Sequence, residues 1–311
     1  MNGGFVAIVG RPNVGKSTLV NALAGAKVSI VSRRRQTTRG VVRTEFLHGG
    51  ARIALLDSPG WQTNRGGDFS RAINGGARWA AESADAIVFM TTPRWTNEDA
   101  DFLSRLPPQV PTVAAINKID LVRDKRTLLP FADELRRRRD FAAVVPLSAE
   151  RGTGVSALAD EIAALLPPAE SPPPTADSAV DFAADSAEDR DFLLGEILRE
   201  KLFRALGGEL PYRVGVAATS RQKPGVLHVR ADIYAERDSQ KAIVLGGGGA
   251  MLKKLATAAR RDMERFCGEK VFLDTRVLVR PEWRRDLRLL AKMRIGAPLQ
   301  FRPPRDIQLK K

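Results

Sequence analysis

The 311-residue chain contains one cysteine, two histidines and two tyrosines. Cys267 alone can form neither an internal disulfide nor a cysteine-cluster metal site. His48 and His228 leave little imidazole for metal or triad chemistry. No apolar run approaches the roughly 18 residues of a membrane span, and the N-terminus shows no basic segment of a signal peptide. A reduced, cytoplasmic setting is the expectation. Positive charge, by contrast, is plentiful: 50 Lys and Arg against 36 Asp and Glu, a net +14. Such a surplus points to an anionic partner without naming it.

The charge is unevenly spread. Residues 1–166 carry +7, residues 167–190 carry −5 and residues 191–311 carry +12. The middle stretch opens on Pro167-Pro168, passes through Pro172-Pro173-Pro174 and continues in Ala, Asp and Ser. It reads as an extended, partly stiff linker between two movable domains. The expected organisation is a first domain over 1–166, a linker over 167–190, a second domain over 191–282, and a C-terminal helix with a basic tail over 283–311.

The first domain opens on an apolar strand, Phe5 to Val9, then Gly10-Arg11-Pro12-Asn13-Val14-Gly15-Lys16-Ser17, then a helical stretch from Thr18. Strand, GxxxxGK[ST] and helix in that order form a phosphate-binding loop. Glycines let backbone N–H groups wrap phosphates, and the helix N-terminus adds partial positive charge. Lys16 is placed to reach the β- and γ-phosphates and Ser17 to ligate Mg²⁺. A second strand ends in Asp57-Ser58-Pro59-Gly60, which sets Asp57 near the metal and the Gly60 amide near the γ-phosphate. A third ends in Asn117-Lys118-Ile119-Asp120. The Asp120 carboxylate can accept from both N1 and N2 of guanine, a donor pair adenine lacks. Asn117 either touches the base edge or ties loops together, and the Lys118 stem covers the ring. A fourth strand runs into Ser148-Ala149, whose backbone can meet guanine O6. Alternating strand and helix patterns predict a doubly wound, mostly parallel α/β sheet with the ligand at the strands' C-terminal ends. The bound species are then GTP and GDP with Mg²⁺.

Between these motifs lies Gln36-Thr37-Thr38-Arg39-Gly40. A threonine here, Thr38 ahead of Thr37, can ligate Mg²⁺ and sense the γ-phosphate. Lys16, Thr38, Gly60 and Asn13 are the candidates for catalysis. Trp61 follows Gly60, where Ras-like enzymes use a glutamine to orient water. An indole has one donor and no acceptor. Water must be placed by backbone, metal or partner, so turnover by the protein alone is expected below ~0.1 s⁻¹. Fast turnover of the purified protein would contradict this.

The second domain reads as helix Phe192–Leu206, strands Tyr212–Ala217 and Val226–Tyr234, a helix from Gln240 into Gly246-Gly247-Gly248-Gly249, a helix to about Phe266, and strand Lys270–Val279. A GxxG turn between two helices in this order is the layout of an α+β type II KH domain, where backbone clamps single-stranded RNA. Lys253 and Lys254, with Arg260 and Arg261, supply cations for phosphates.

With these motifs together, the chain resembles the Era family of bacterial ribosome-assembly GTPases, over about residues 4–290. The resemblance rests on residues 10–17, 36–39, 57–60 and 117–120, and on Glu196–Lys201, Glu209–Tyr212 and Gly248–Lys254. It implies binding to small-subunit ribosomal RNA near its 3′ end during 30S maturation, and nucleotide-controlled access to the KH surface. It further implies peripheral membrane contact. A monomeric chain is the expectation. GTPases with an asparagine at the Asn13 position often use K⁺ near the phosphates; a merely loop-shaping asparagine is the competing reading. Two other classes stay open here: an RNA-binding scaffold with a non-hydrolysing site, and a membrane-associated regulatory GTPase using Trp283–Met293. The family usually carries a basic residue in the middle of GxxG; here both middle residues are glycine.

Overall fold

The computed structural model describes residues 2–25, 39–62, 67–168 and 187–296. Thr37 and Thr38, the arginine run 33–35, the linker stretch 169–186 and the tail from 297 lie outside the described residues.

The first unit runs β1 (Gly3–Val9), α1 (Lys16–Ala24), β2 (Val42–His48), β3 (Ala51–Asp57), α2 (Asp68–Glu82), β4 (Ala86–Thr91), α3 (Asn97–Leu103), β5 (Thr112–Ile116), α4 (Leu128–Arg138), β6 (Ala143–Pro146) and α5 (Val155–Leu165). The sheet order is β2-β3-β1-β4-β5-β6. Every pairing is parallel except β2 with β3. Central strands covered on both faces read as continuous apolar runs. Val6 and Ile8 of β1 pack in the core under α1 and α5. Ala7 and Val9 pack in the opposite core with α2, α3 and α4. The β1 and β3 ends therefore place the phosphate loop and Asp57 side by side.

The second unit runs α6 (Ala187–Ala205), α7 (Leu210–Arg213), β7 (Gly215–Lys223), β8 (Val226–Ala235), α8 (Asp238–Leu245), α9 (Ala250–Cys267), β9 (Val271–Val279) and α10 (Leu287–Lys292). Its sheet, β7-β8-β9, is antiparallel then parallel. Leu194, Leu198 and Leu202 of α6 and Ala259 and Met263 of α9 pack on Leu227, Val229, Ala231 and Ile233. This is the anticipated helix and strand order with one addition. Tyr212–Ala217 is not a single strand: Leu210–Arg213 is a helical turn, and the strand begins only at Gly215. Pro211 near the first helical position favours that turn.

Both ends of the 167–190 stretch differ from a plain linker. Pro167 O accepts from Gly3 N at 2.9 Å, and α6 already starts at Ala187.

The two units meet at a packed junction. Phe69 and Ile73 of α2 share a core with Ala217, Tyr234, Trp283, Leu290, Met293 and Ile295. Trp283 is fully buried; its ring lies edge-on to Phe69 and its indole N–H donates to Arg213 O at 3.0 Å. Trp283–Met293 is thus a capping segment, not a free amphipathic membrane helix. Gly296 closes the junction. Its φ is +69°, and a Cβ there would sit 1.7 Å from Ala72 O, so only glycine fits. Its N–H donates to Arg39 O at 2.9 Å.

Candidate functional site

The phosphate loop is shaped by backbone. Gly15 has φ +105°, and a Cβ there would meet Asn117 Nδ2 at 2.3 Å. Gly10 and Asn13 also take positive φ, and Val14 is buried behind the loop. Lys16 starts α1 and is buried. Its Nζ donates to Gly10 O at 2.9 Å and Arg11 O at 3.1 Å, bridging the loop where phosphates would lie. Burial pulls its pKa down to about 8, against the attraction of Asp57 and with the repulsion of Arg11. An arriving triphosphate supplies the missing counter-charge.

Ser17 Oγ donates to Asp57 Oδ2 at 2.8 Å. Two hard oxygens from the loop and the β3 end fit a Mg²⁺ ion. Thr18 follows on α1, half-buried. Gly60 packs on Pro12, so the loop after β3 closes on the phosphate loop.

Trp61 turns away from chemistry. Its indole N–H donates to Asp101 Oδ2 at 2.7 Å, and its ring stacks on Phe102 with centroids 4.8 Å apart. Its single donor is already engaged in anchoring the start of the α2 connection to α3. Arg11 works similarly: its Nε donates to Asp99 at 2.9 Å, and Asp99 completes a capping box with Thr96. Asp101 carries no sequence signal of its own, whereas Asp99 ends the capping signature Thr96-Asn97-Glu98-Asp99.

The base-side residues converge. Asn117 Nδ2 donates to Val14 O at 2.7 Å, and Asn117 Oδ1 accepts from Ala149 N at 2.9 Å. Of the two readings of Asn117, the structure shows the loop tie. Lys118 sits at φ +65°, with its pKa lowered by burial and by Arg11. A hydrogen bond from Ser148 holds the Asp120 carboxyl below its ordinary range, keeping it ionised as an acceptor.

In the second unit, α8 ends at Gly246 and the chain turns through Gly247–Gly249 into α9. A groove of about 360 Å³ opens beside this turn, lined by Gly249, Leu252, Lys253, Ala256, Thr257, Arg260, Leu273 and Thr275. Lys253 and Arg260 face it; Lys254 is exposed on α9 outside that lining. Gly247 has an ordinary φ and nothing within 4 Å of a notional Cβ. A side chain fits there without strain. Gly247→Lys is expected to tighten single-stranded RNA binding and steepen its salt dependence by about 0.7 in log–log slope, one added phosphate contact. Anisotropy titrations across salt concentrations measure both.

The 50S ribosome-binding GTPase family pattern matches residues 5–118, and a KH domain pattern matches residues 209–284. GTPase Era of Stenotrophomonas maltophilia (strain R551-3) is 43% identical over 288 residues, covering 91% of this chain and 94% of that protein. The chain belongs to the Era family of GTPases. Era of Chromobacterium violaceum is 40% identical over 291 residues, covering 92% and 95%. A crystal structure of an Aquifex aeolicus Era variant bound to GDP and AlF4⁻ superposes with a TM-score of 0.85 at 32% identity, covering 96% of this chain and all of that one. A second Era structure, in complex with MgGDPNP and nucleotides 1506–1542 of 16S ribosomal RNA, superposes at 0.86, with the same identity and coverage. Among the described residues, no helix is long and apolar enough to cross a membrane.

One residue of the family motif gains a role that sequence alone did not assign. Arg39 is buried, and its guanidinium passes over the Phe69 ring of α2, 5.4 Å from its centroid, into the KH unit. It donates to Val214 O at 2.7 Å, Pro211 O at 3.1 Å and Tyr212 O at 3.2 Å in the KH unit. Burial lowers its pKa to about 9, with Arg199 and Arg284 pressing the same way and Glu196 opposing. It stays protonated at neutral pH.

Proposed function

We propose that this chain binds GTP with Mg²⁺, hydrolyses it slowly, and uses nucleotide state to govern binding of small-subunit ribosomal RNA near its 3′ end during 30S maturation. Phosphates lie on the Gly10–Thr18 loop with Lys16 at the β- and γ-phosphates. Mg²⁺ takes Ser17, Thr38 and Asp57, and Gly60 reads the γ-phosphate. Guanine is read by Asp120, with Lys118, Ser148 and Ala149 around the ring. RNA phosphates meet Gly246–Gly249, Lys253 and Lys254. The GTPase domain is assigned to 1–166, the KH domain to 191–282. The chain acts in the cytoplasm, as a monomer, with peripheral contact at the membrane.

The observation that carries this reading is Arg39. It follows the candidate Mg²⁺ ligand Thr38 directly and is bonded to three KH-side carbonyls. A change in the loop's grip on the γ-phosphate is therefore a change one residue from the domain junction. RNA crosslinking in cells tests the reading. Ribosomal RNA crosslinks are expected with the native chain and lost with Gly247→Asp, while GTP binding survives. Persistence of the same crosslinks would remove the GxxG assignment.

Asn13, exposed and at φ +67°, supports a K⁺ position beside the phosphates. Turnover in KCl is expected to exceed turnover in NaCl at equal ionic strength. Equal rates would leave Asn13 a loop-shaping residue only.

A further inference from the structure

The face of the β7-β8-β9 sheet that points away from α6 and α9 is only half covered. At one end, Ala217 and Tyr234 lie beneath Trp283, Leu290 and Met293. Asp232 there pairs with Arg276 at 2.7 Å and with Lys292 of α10 at 3.8 Å. Towards the other end this cover stops. Register places Arg221 of β7 opposite His228 of β8, and His228 opposite Phe272 of β9. Strand alternation sets all three on the outer face, because Leu227 and Val229 belong to the core beneath the helices. The His228 and Phe272 rings pack with centroids 4.9 Å apart, and Phe272 is 56% exposed.

Cations surround this aromatic pair. Arg221, Lys223 and Lys270 are exposed and make no hydrogen bond or ion pair through their charged groups among the described residues. Among the described residues Arg230, 59% exposed, is met only by Asp274, at 3.5 Å. An exposed aromatic pair framed by four cations and a single carboxylate is poorly suited to an apolar protein partner. It has the composition of a base-stacking platform: rings take base faces, and cations take the backbone.

Position strengthens the match. β9 is the edge strand of the sheet. Its Leu273 and Thr275 line the groove beside the GxxG turn, while Phe272 points to the opposite face. A strand of RNA leaving the groove has only to round one β-strand to reach Phe272.

We propose that the outer face around Phe272 and His228 is a second binding surface for single-stranded RNA, taking unpaired bases that run on from the GxxG groove. This rests on the KH groove binding RNA, and the two are separable by RNA length. In the full-length protein, Phe272→Thr combined with Arg221→Glu is expected to weaken binding of a 12-nucleotide single-stranded RNA by at least about 5- to 150-fold, the effect of losing one stacked base, with the reversed charge at Arg221 adding to it. Binding of a four-nucleotide RNA, which fills only the groove, stays unchanged. Phe272→Trp keeps a stacking ring and is expected to retain near-native affinity for the long RNA. Gly247→Asp weakens both RNAs. Unchanged affinity of the double variant for the long RNA, with loss in Gly247→Asp, overturns the platform and leaves the groove reading standing. Equal loss for short and long RNA in the double variant, with native GTP binding, also overturns it, because the effect then lies in the groove. Loss confined to the long RNA in the double variant, with no effect of Gly247→Asp, removes the groove reading and with it the proposed run-on, leaving an RNA surface at Phe272 that is independent of the groove.

Discussion

Replacing Asp120 with Asn is expected to reduce GTP affinity by about 10²- to 10⁴-fold while leaving the apo fold intact. In the proposed reading the carboxylate accepts from N1 and N2 of guanine, each a charge-assisted bond worth about 1.5–3 kcal/mol. An asparagine presents one acceptor and one donor, so the donor meets the N2 amino group head-on. Xanthine carries an oxygen at that position, and the same amide then pairs with it. The variant should therefore bind xanthosine triphosphate better than GTP, a reversal that simple damage to the site cannot produce. Asp120 is only half-buried and caps no core packing, so the melting temperature without nucleotide should match the native value. Unchanged GTP affinity would mean that the base is read elsewhere.

Arg39→Met is the second large effect. The native guanidinium serves three carbonyls within a junction that is closed to water. Methionine keeps much of the volume and none of the donors, leaving Pro211, Tyr212 and Val214 carbonyls without this partner. Leaving a buried acceptor without its donor costs about 1–3 kcal/mol per group. That loss falls on the docking of the two units rather than on either core, because Arg39 belongs to neither hydrophobic cluster. Denaturant unfolding followed by circular dichroism should then separate into two transitions, and limited proteolysis between the units should accelerate. A single transition at the native midpoint would show that the junction does not depend on Arg39.

Much of this was legible in the sequence, for a physical reason. Phosphate loops, the Asp57 turn and the Asp120 strand end are backbone solutions that demand fixed residues at fixed spacing, so each can be read locally. The GxxG turn is similar. What escaped is non-local. β2 alternates Val42, Thr44 and Phe46 with Arg43 and Glu45 but carries no motif, and its charged positions do not face water as alternation implies: Glu45 is buried and bonded to Arg43 and Arg52. The Tyr212–Ala217 stretch alternates like a strand, yet Pro211 starts a helical turn first. Trp283–Met293 offered a membrane-facing helix in sequence, and only the approach of Phe69 and Ile73 of α2 shows it to be a cap. Asp101, which occupies the Trp61 indole, lies 40 residues away and has no motif. Arg39 was visible as a motif residue, but its three acceptors are more than 170 residues distant.

Coupling between the nucleotide site and the RNA surface is tested most directly by RNA affinity in two nucleotide states. Anisotropy with a labelled 3′-terminal small-subunit RNA, in a non-hydrolysable GTP analogue and then in GDP, gives the ratio for the native chain and for Arg39→Met. The native ratio is expected to differ from one by at least about fivefold, the lower range of allosteric coupling, and to collapse toward one in the variant. Equal affinities in both states for the native chain, or an unchanged ratio in Arg39→Met, would contradict it.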